Sequence, residues 1–356
     1  MTDLLARGIE LWGSGMRKVW DHYAAAQDTI RAQGRAIVGQ TPATVVYTEG
    51  SARLLHYTPL VTNPLPVPLL CIPSLINRYY VMDLTPERSL VRDLLRRGLD
   101  VYMLDWGTAS EVDAHRTLDE YITGIMRRCV SVMQRDSGQR AVSILGYCMG
   151  GMMAAVYAAL YSREVANLVN LAGPVNYHDD GIYSLWTRRD WLDVDLMVDT
   201  LGNIPAGLLN LTFHLVRPTD DLIQALNYWE RGDDESFMRA FAAMQLWTSD
   251  PTPFPGEAFR KYVKDLYQHN LLMQGKFRIN GQSIDLGTIT APTLTIAARR
   301  DHIAPWRSVA VFDDLISSVD KALIVLDSGH IGMVIGSDAQ TQLWPQLGEW
   351  LVARSG

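Results

Sequence analysis

Gly146-Tyr147-Cys148-Met149-Gly150, followed by Gly151, sets one thiol between glycines after the apolar run AVSIL and ahead of the helical pattern MMAAVYAALY. A tight strand-to-helix turn of this kind lifts the central side chain clear of the sheet, and the glycines leave room for the backbone to reverse. A helix N-terminus favours a thiolate there, and the N–H of Met149 faces any oxyanion that forms beside the sulfur. A neutral thiol is a poor nucleophile, so the chemistry needs an imidazole to take its proton and a carboxylate to fix the ring. Asp301 follows the run TLTIAARR and His330 follows ALIVLDSG, 153 and then a further 29 residues along. Nucleophile, acid and base thus come in the order of a Cys-His-Asp triad built on the ends of successive strands. The second oxyanion N–H is expected from the loop Pro73-Ser74-Leu75-Ile76-Asn77, with an amide near Ile76 as the candidate.

Each residue has a plainer reading. Cys148 could be a buried structural thiol in a glycine-rich turn, Asp301 an N-cap for the next helix, and His330 polar surface. Asp327 is a rival carboxylate three residues before His330, and His302 beside Asp301 serves either site or structure.

The elements around these residues read as an α/β protein with the α/β-hydrolase fold. Short β-branched or apolar runs (TVVY, ARLLHY, VPLLCIP, DVYMLDW, AVSILG, NLVNLA, TLTIAA and ALIVLD) are separated by helical patterns such as SLVRDLLRRG and WPQLGEWL. Strands spaced by helices of this length imply right-handed crossovers and a mainly parallel, doubly wound sheet. Residues 41–173 and 291–356 form this core. The stretch 174–290 is too long for a loop and is rich in Trp, Tyr, Met and Pro, so it is expected to be a helical cap between two strands. Its Trp186, Trp191, Trp229, Trp247 and Tyr267 could keep water out and guide an apolar chain. Residues 1–40 carry Leu4, Leu5, Ile9, Trp12, Met16, Val19, Trp20 and Tyr23 at helical spacing, predicting one or two amphipathic helices broken near Gly13 and Gly15. That stripe packs on its own domain, on a partner subunit or on an insoluble product.

With 356 residues and 48% hydrophobic content the chain can bury a large core, which excludes disorder. Cys71, Cys129 and Cys148 form no CxxC pair and no even-numbered ladder, which argues against a disulfide framework and a cysteine-rich zinc site, and a reducing cytoplasm is expected. A net charge of −7 argues against a duplex nucleic-acid binder. No apolar core of a signal peptide is read in the first residues, and no apolar run reaches about 18 residues, so no transmembrane helix is expected.

Several segments together resemble poly(3-hydroxyalkanoate) synthases: LINRYYVMDLTPERSLVRDLLRRGLDVYMLDWG, ILGYCMGGMMA, GPVNY, LGNIPAGLLN, LWTSDPTPFPGEAFRKYVKDLYQHNLL, RRDHIAPW and SGHIGMVIG. The resemblance covers the chain from about residue 44, and is to the short catalytic subunit of the two-subunit type, class III or alternatively class IV. It implies Cys148, Asp301 and His330 as nucleophile, acid and base, and Met149 and Ile76 as the oxyanion region. It further implies cap or substrate-channel positions among Asn77, Asp83, His302, Trp247 and Tyr267. Longer single-component synthases carry a Trp after a Pro pair where this chain has Ile72-Pro73-Ser74-Leu75, and their large N-terminal domain is not found in the sequence.

The implied activity is polymerisation of (R)-3-hydroxyacyl-CoA, 3-hydroxybutyryl-CoA foremost, with release of CoA and no cofactor. A second synthase subunit and a polyester granule surface are the implied partners. A cysteine thioester keeps the acyl group activated for a hydroxyl acceptor, which accounts for sulfur where a hydrolase uses oxygen. The alternative is a cysteine esterase or thioesterase on the same scaffold, with water as acceptor.

Overall fold

The computed structural model describes residues 2–179, 181–216 and 219–356, with the backbone alone for 2–14 and 220. Twelve strands are described: β1 (Ala43–Glu49), β2 (Ala52–Tyr57), β3 (Leu69–Ile72), β4 (Asp83–Thr85), β5 (Arg88–Ser89), β6 (Val101–Asp105), β7 (Val142–Tyr147), β8 (Val165–Leu171), β9 (Arg278–Ile279), β10 (Gln282–Ser283), β11 (Thr293–Ala298) and β12 (Lys321–Leu326). Eight of them form one sheet in the order β1-β2-β6-β3-β7-β8-β11-β12, and the other four make two small hairpins. From β6 to β12 all pairs are parallel, while β1 and β2 are antiparallel to their neighbours. The sheet is therefore mainly parallel, as the strand-helix alternation requires.

Burial follows from that layering. β3, β6, β7 and β11 are buried along their whole length, as strands covered on both faces must be, whereas the edge strand β1 is mostly exposed. Period-two alternation splits β7 between two cores: Val142 and Ile144 join the face covered by α3 (Arg127–Ser137) and α4 (Met149–Leu160), while Leu145 and Tyr147 join the face covered by α2 (Leu90–Arg96) and the C-terminal helix Trp344–Val352. β3 lies between β6 on one side and β7 on the other, so the chain reverses its winding there. The carboxyl ends of strands at such a switch point leave a crevice between diverging loops.

Between β8 and β11 the chain forms α5 (Ile182–Trp186), α6 (Val194–Leu201), α7 (Ala206–Val216), α8 (Asp220–Arg231), α9 (Glu235–Ser249) and α10 (Gly256–Lys261), and then a π-helical turn, Tyr262–Gln268. The N-terminal segment differs from its expectation. It is one unbroken helix, α1 (Thr2–Arg35), without a break near Gly13 or Gly15. Each glycine costs a helix only about 1 kcal/mol, which packing further along can offset. Tyr23 and Ile30 are buried against Ala225, Phe241 and Ala242 of α8 and α9, so this half of the stripe packs on the chain itself. The side chains of Leu4, Leu5, Ile9 and Trp12 lie outside the described residues.

Two glycines of α1 behave oppositely. A Cβ on Gly34 would stand 2.4 Å from the carbonyl oxygen of Ala242, whereas one on Gly15 would meet nothing within 4 Å. Gly34→Ala is expected to push α1 off α9 and lower stability by about 1–3 kcal/mol. Gly15→Ala is expected to raise it by about 0.5–1 kcal/mol. Urea unfolding of the two variants measures both, and equal shifts would contradict the packing.

Candidate active site

Cys148 sits between β7 and α4 at φ 58° and ψ −127°, a conformation side chains rarely adopt. Its surroundings hold it there. The Cys148 N–H donates to Leu171 O at 2.9 Å, and Gly151 N–H donates to Cys148 O at 2.9 Å. A Cβ on Gly146 would fall 2.2 Å from Gly150 O, and one on Gly150 would fall 2.1 Å from Ile72 O at the end of β3. Glycine is thus required on both sides of the cysteine by neighbouring backbone, and the α4 N-terminus is pressed against the β3 loop. Cys71 and Cys129 are fully buried and desolvation pushes each thiol up to about 12, so neither is a nucleophile; Cys148 is partly exposed.

Asp301 and His330 meet beside it. The His330 Nδ1–H donates to Asp301 Oδ2 at 2.6 Å, and both side chains are buried. Asp301 Oδ1 accepts from the N–H groups of Ile303 and Ala304, each at 2.8 Å. One carboxylate therefore caps its own turn with one oxygen and orients the imidazole with the other. Asp327 instead pairs with Arg300 on the surface, 3.2 Å away, and is no rival. Burial pushes the His330 imidazole down, but the Asp301 carboxylate, the neighbouring Cys148 sulfur and the hydrogen bond to Asp301 outweigh it, and the ring is held well above its usual range.

In the β3 loop, no protein acceptor among the described residues takes the Ile76 N–H. Met149 occupies the first turn of α4, where backbone N–H groups lack helical partners. Both can face an oxyanion.

The other sequence-selected positions divide. Tyr267 packs edge-on against Tyr177, with ring centroids 4.7 Å apart, and Trp247 is buried with its Nε1–H donating to Arg78 O at 2.9 Å. Asn77 is half-buried in the β3 loop. Asp83 is buried and both hydroxyl contacts it makes are local: it accepts from the Thr41 hydroxyl at 2.6 Å and the Ser89 hydroxyl at 2.6 Å. It ties the end of the α1 linker to the start of α2, a structural job. His302 is exposed, outside the Asp301–His330 pair. Trp191 and Trp229 are also surface residues, 77% and 56% exposed, so they exclude no water from the site; Trp186 is half-buried.

Sequence reasoning singled out Tyr267 but missed the three tyrosines grouped with it, Tyr177, Tyr183 and Tyr262. Tyr177, Tyr183, Tyr262 and Tyr267 all lie within electrostatic reach of Cys148, and burial chiefly keeps their phenols protonated. The hydroxyls of Tyr177 and Tyr183 are buried without a hydrogen-bond partner among the described residues. Such orphan donors cost about 1–3 kcal/mol each and are open to a ligand. Tyr262 and Tyr267 meet at 5.7 Å because the π-helical turn brings residues five apart together. On an α-helix they would lie about 140° apart. The aromatic richness of 174–290 was the signal that pointed toward the other three.

Residues 67–336 match the family model described as alpha/beta hydrolase fold, and residues 3–94 match that of the Poly-beta-hydroxybutyrate polymerase (PhaC) N-terminus. The chain is 36% identical to the poly(3-hydroxyalkanoate) polymerase subunit PhaC of Haloferax mediterranei, over 94% of this chain and 68% of that one. It is 38% identical to the subunit of the same name from Allochromatium vinosum, over 89% and 90%. An alpha/beta hydrolase fold protein from Nakamurella multipartita superposes with a TM-score of 0.50 at 18% identity, covering 88% of this chain and 99% of that one. The chain belongs to the PhaC family of poly(3-hydroxyalkanoate) polymerase subunits, and its fold is that of the α/β-hydrolases.

Asp301 is the largest influence raising His330. A protonated His330 stabilises the folded chain below the ordinary histidine range, near pH 6.5, and that contribution is lost as pH rises through the raised folded value. Asp301→Asn is expected to lower the His330 titration and narrow this window, as read by NMR of the ring. An unmoved titration would contradict the pairing.

Proposed function

We propose that the chain polymerises (R)-3-hydroxyacyl groups from CoA thioesters through an acyl-enzyme on Cys148, with 3-hydroxybutyryl-CoA as the foremost monomer. The observation that carries this is a cysteine in the strained elbow of an α/β-hydrolase sheet, within electrostatic reach of a buried imidazole that is itself held by Asp301. Membership of the PhaC family supports the same reading.

In the first half-reaction the Cys148 proton passes to His330 and the sulfur attacks the thioester carbonyl. The oxyanion is met by the N–H groups of Met149 and Ile76. The bond to the CoA sulfur breaks, and CoA leaves with the proton from His330. In the second, His330 takes the proton of a 3-hydroxyl, whose oxygen attacks the acyl-enzyme. An ester forms, the Cys148–acyl bond breaks, and the thiol recovers its proton.

One electrostatic consequence favours this order. The charge on Cys148 helps raise His330, and acylation removes that charge. The imidazole then gives up its proton more readily and is ready to act as base when the alcohol arrives. The chemistry uses no cofactor, because the thioester supplies the driving force. A second synthase subunit and a polyester granule are the proposed partners, and the cytoplasm the proposed compartment. No helix among the described residues is long and apolar enough to cross a membrane.

The test is the fate of 3-hydroxybutyryl-CoA with purified chain, with and without added partner subunit. CoA release matched by insoluble polymer is expected; release matched by free acid would make the chain a thioesterase. Cys148→Ala is expected to abolish CoA release with the fold retained by circular dichroism, and residual polymer in that variant would reject the nucleophile. His330→Gln is expected to slow elongation more than single-turnover acylation. Equal losses in both would reject its role as base for the alcohol.

A further inference from the structure

The loop that presents the Ile76 amide is fastened from the cap. Thr252, just after α9 and 2% exposed, donates its hydroxyl to Leu75 O at 3.1 Å and its N–H to Ile76 O at 3.1 Å. Asp250 accepts from Arg78 Nη2 at 3.0 Å and from the Tyr80 hydroxyl at 3.0 Å. Trp247 donates to Arg78 O, as described above. Residues 247–252 of the cap thus hold residues 75–80 by five hydrogen bonds. From below, Trp106 Nε1–H donates to Pro73 O at 3.1 Å and fixes the root of the same loop.

The Leu75 carbonyl and the Ile76 N–H belong to one planar trans peptide, in which the two groups point in opposite directions. Anchoring that carbonyl from the cap side therefore sets the direction of the N–H. We propose that Thr252, braced by Asp250, is a positioning residue for thioester attack: it orients the Ile76 N–H toward the oxyanion, so that the donor is in place only while the 247–252 segment is seated. The inference rests on the reading of Cys148 and Ile76 given above. It makes the cap a part of the oxyanion site as well as a cover over it.

The test compares two reactions of the same sulfur. Acylation by 3-hydroxybutyryl-CoA passes through an oxyanion, whereas alkylation by iodoacetamide displaces iodide at carbon and forms none. Thr252→Val keeps the backbone N–H and a similar volume but removes the hydroxyl. It is expected to slow single-turnover acylation by about tenfold to a hundredfold with KM little changed. The alkylation rate of Cys148 is expected to stay at that of the unaltered chain, and Thr252→Ser is expected to restore acylation. Equal loss of acylation and alkylation would mean general damage to the site and overturn the proposal, as would undiminished acylation. Asp250→Asn, which weakens the Arg78 and Tyr80 anchors at constant volume, is expected to shift acylation the same way by a smaller factor. It decides the matter if Thr252→Val does not fold, unchanged acylation in it counting against the proposal. Absence of CoA release from the unaltered chain would overturn the reading of the site itself, and this inference with it.

Discussion

The close approach of two strand ends governs this molecule. β3 and β7 are parallel neighbours, and the first turn of α4 comes so near the end of β3 that only glycine fits at Gly150. That contact holds Cys148 in its strained conformation, aims α4 at the sulfur and brings the Ile76 loop beside the same point. A non-glycine residue at a positive φ persists only where its surroundings over-determine it. Here backbone on every side does so, with Leu171, Gly151 and Ile72 all taking part.

Electrostatics then separate the tasks. Desolvation pushes the Cys71 and Cys129 thiols away from the reactive thiolate, and burial alone would make His330 a weaker base. Asp301 reverses that tendency, and its own geometry shows how one carboxylate serves two ends. Two backbone N–H groups hold Oδ1, so Oδ2 is fixed where the imidazole needs it. A turn cap and an orienting acid are one arrangement seen from two sides.

Above the sheet, the segment between β8 and β11 contributes both apolar packing and polar anchors. The exposed Trp191 and Trp229 show that aromatic content in the cap is no measure of what lines the site. The residues within electrostatic reach of the sulfur are buried tyrosines, and two of their hydroxyls have no partner among the described residues. Thr252, Asp250 and Trp247 meanwhile stitch the cap to the β3 loop. Residues 247–252 and the β3 loop thus form one polar network.

Local chemistry alone made much of this legible. The elbow, the order of Cys148, Asp301 and His330, and the strand-helix alternation are written in short segments whose conformations depend on nearby residues and on hydrophobic period. The tertiary structure had to decide which carboxylate faces the imidazole, because Asp301 and Asp327 both lie at strand ends and differ only in direction. It also decided that α1 runs on through Gly13 and Gly15, since the packing of Tyr23 and Ile30 on a helix some 200 residues later outweighs a local propensity. Asp83, taken up by Thr41 and Ser89, and the Tyr262–Tyr267 pair, brought together by a π-helical turn, were beyond sequence reading for the same reason. Spacing fixes what neighbours along the chain can do, while the partner of a buried polar group is fixed by whatever the fold places against it.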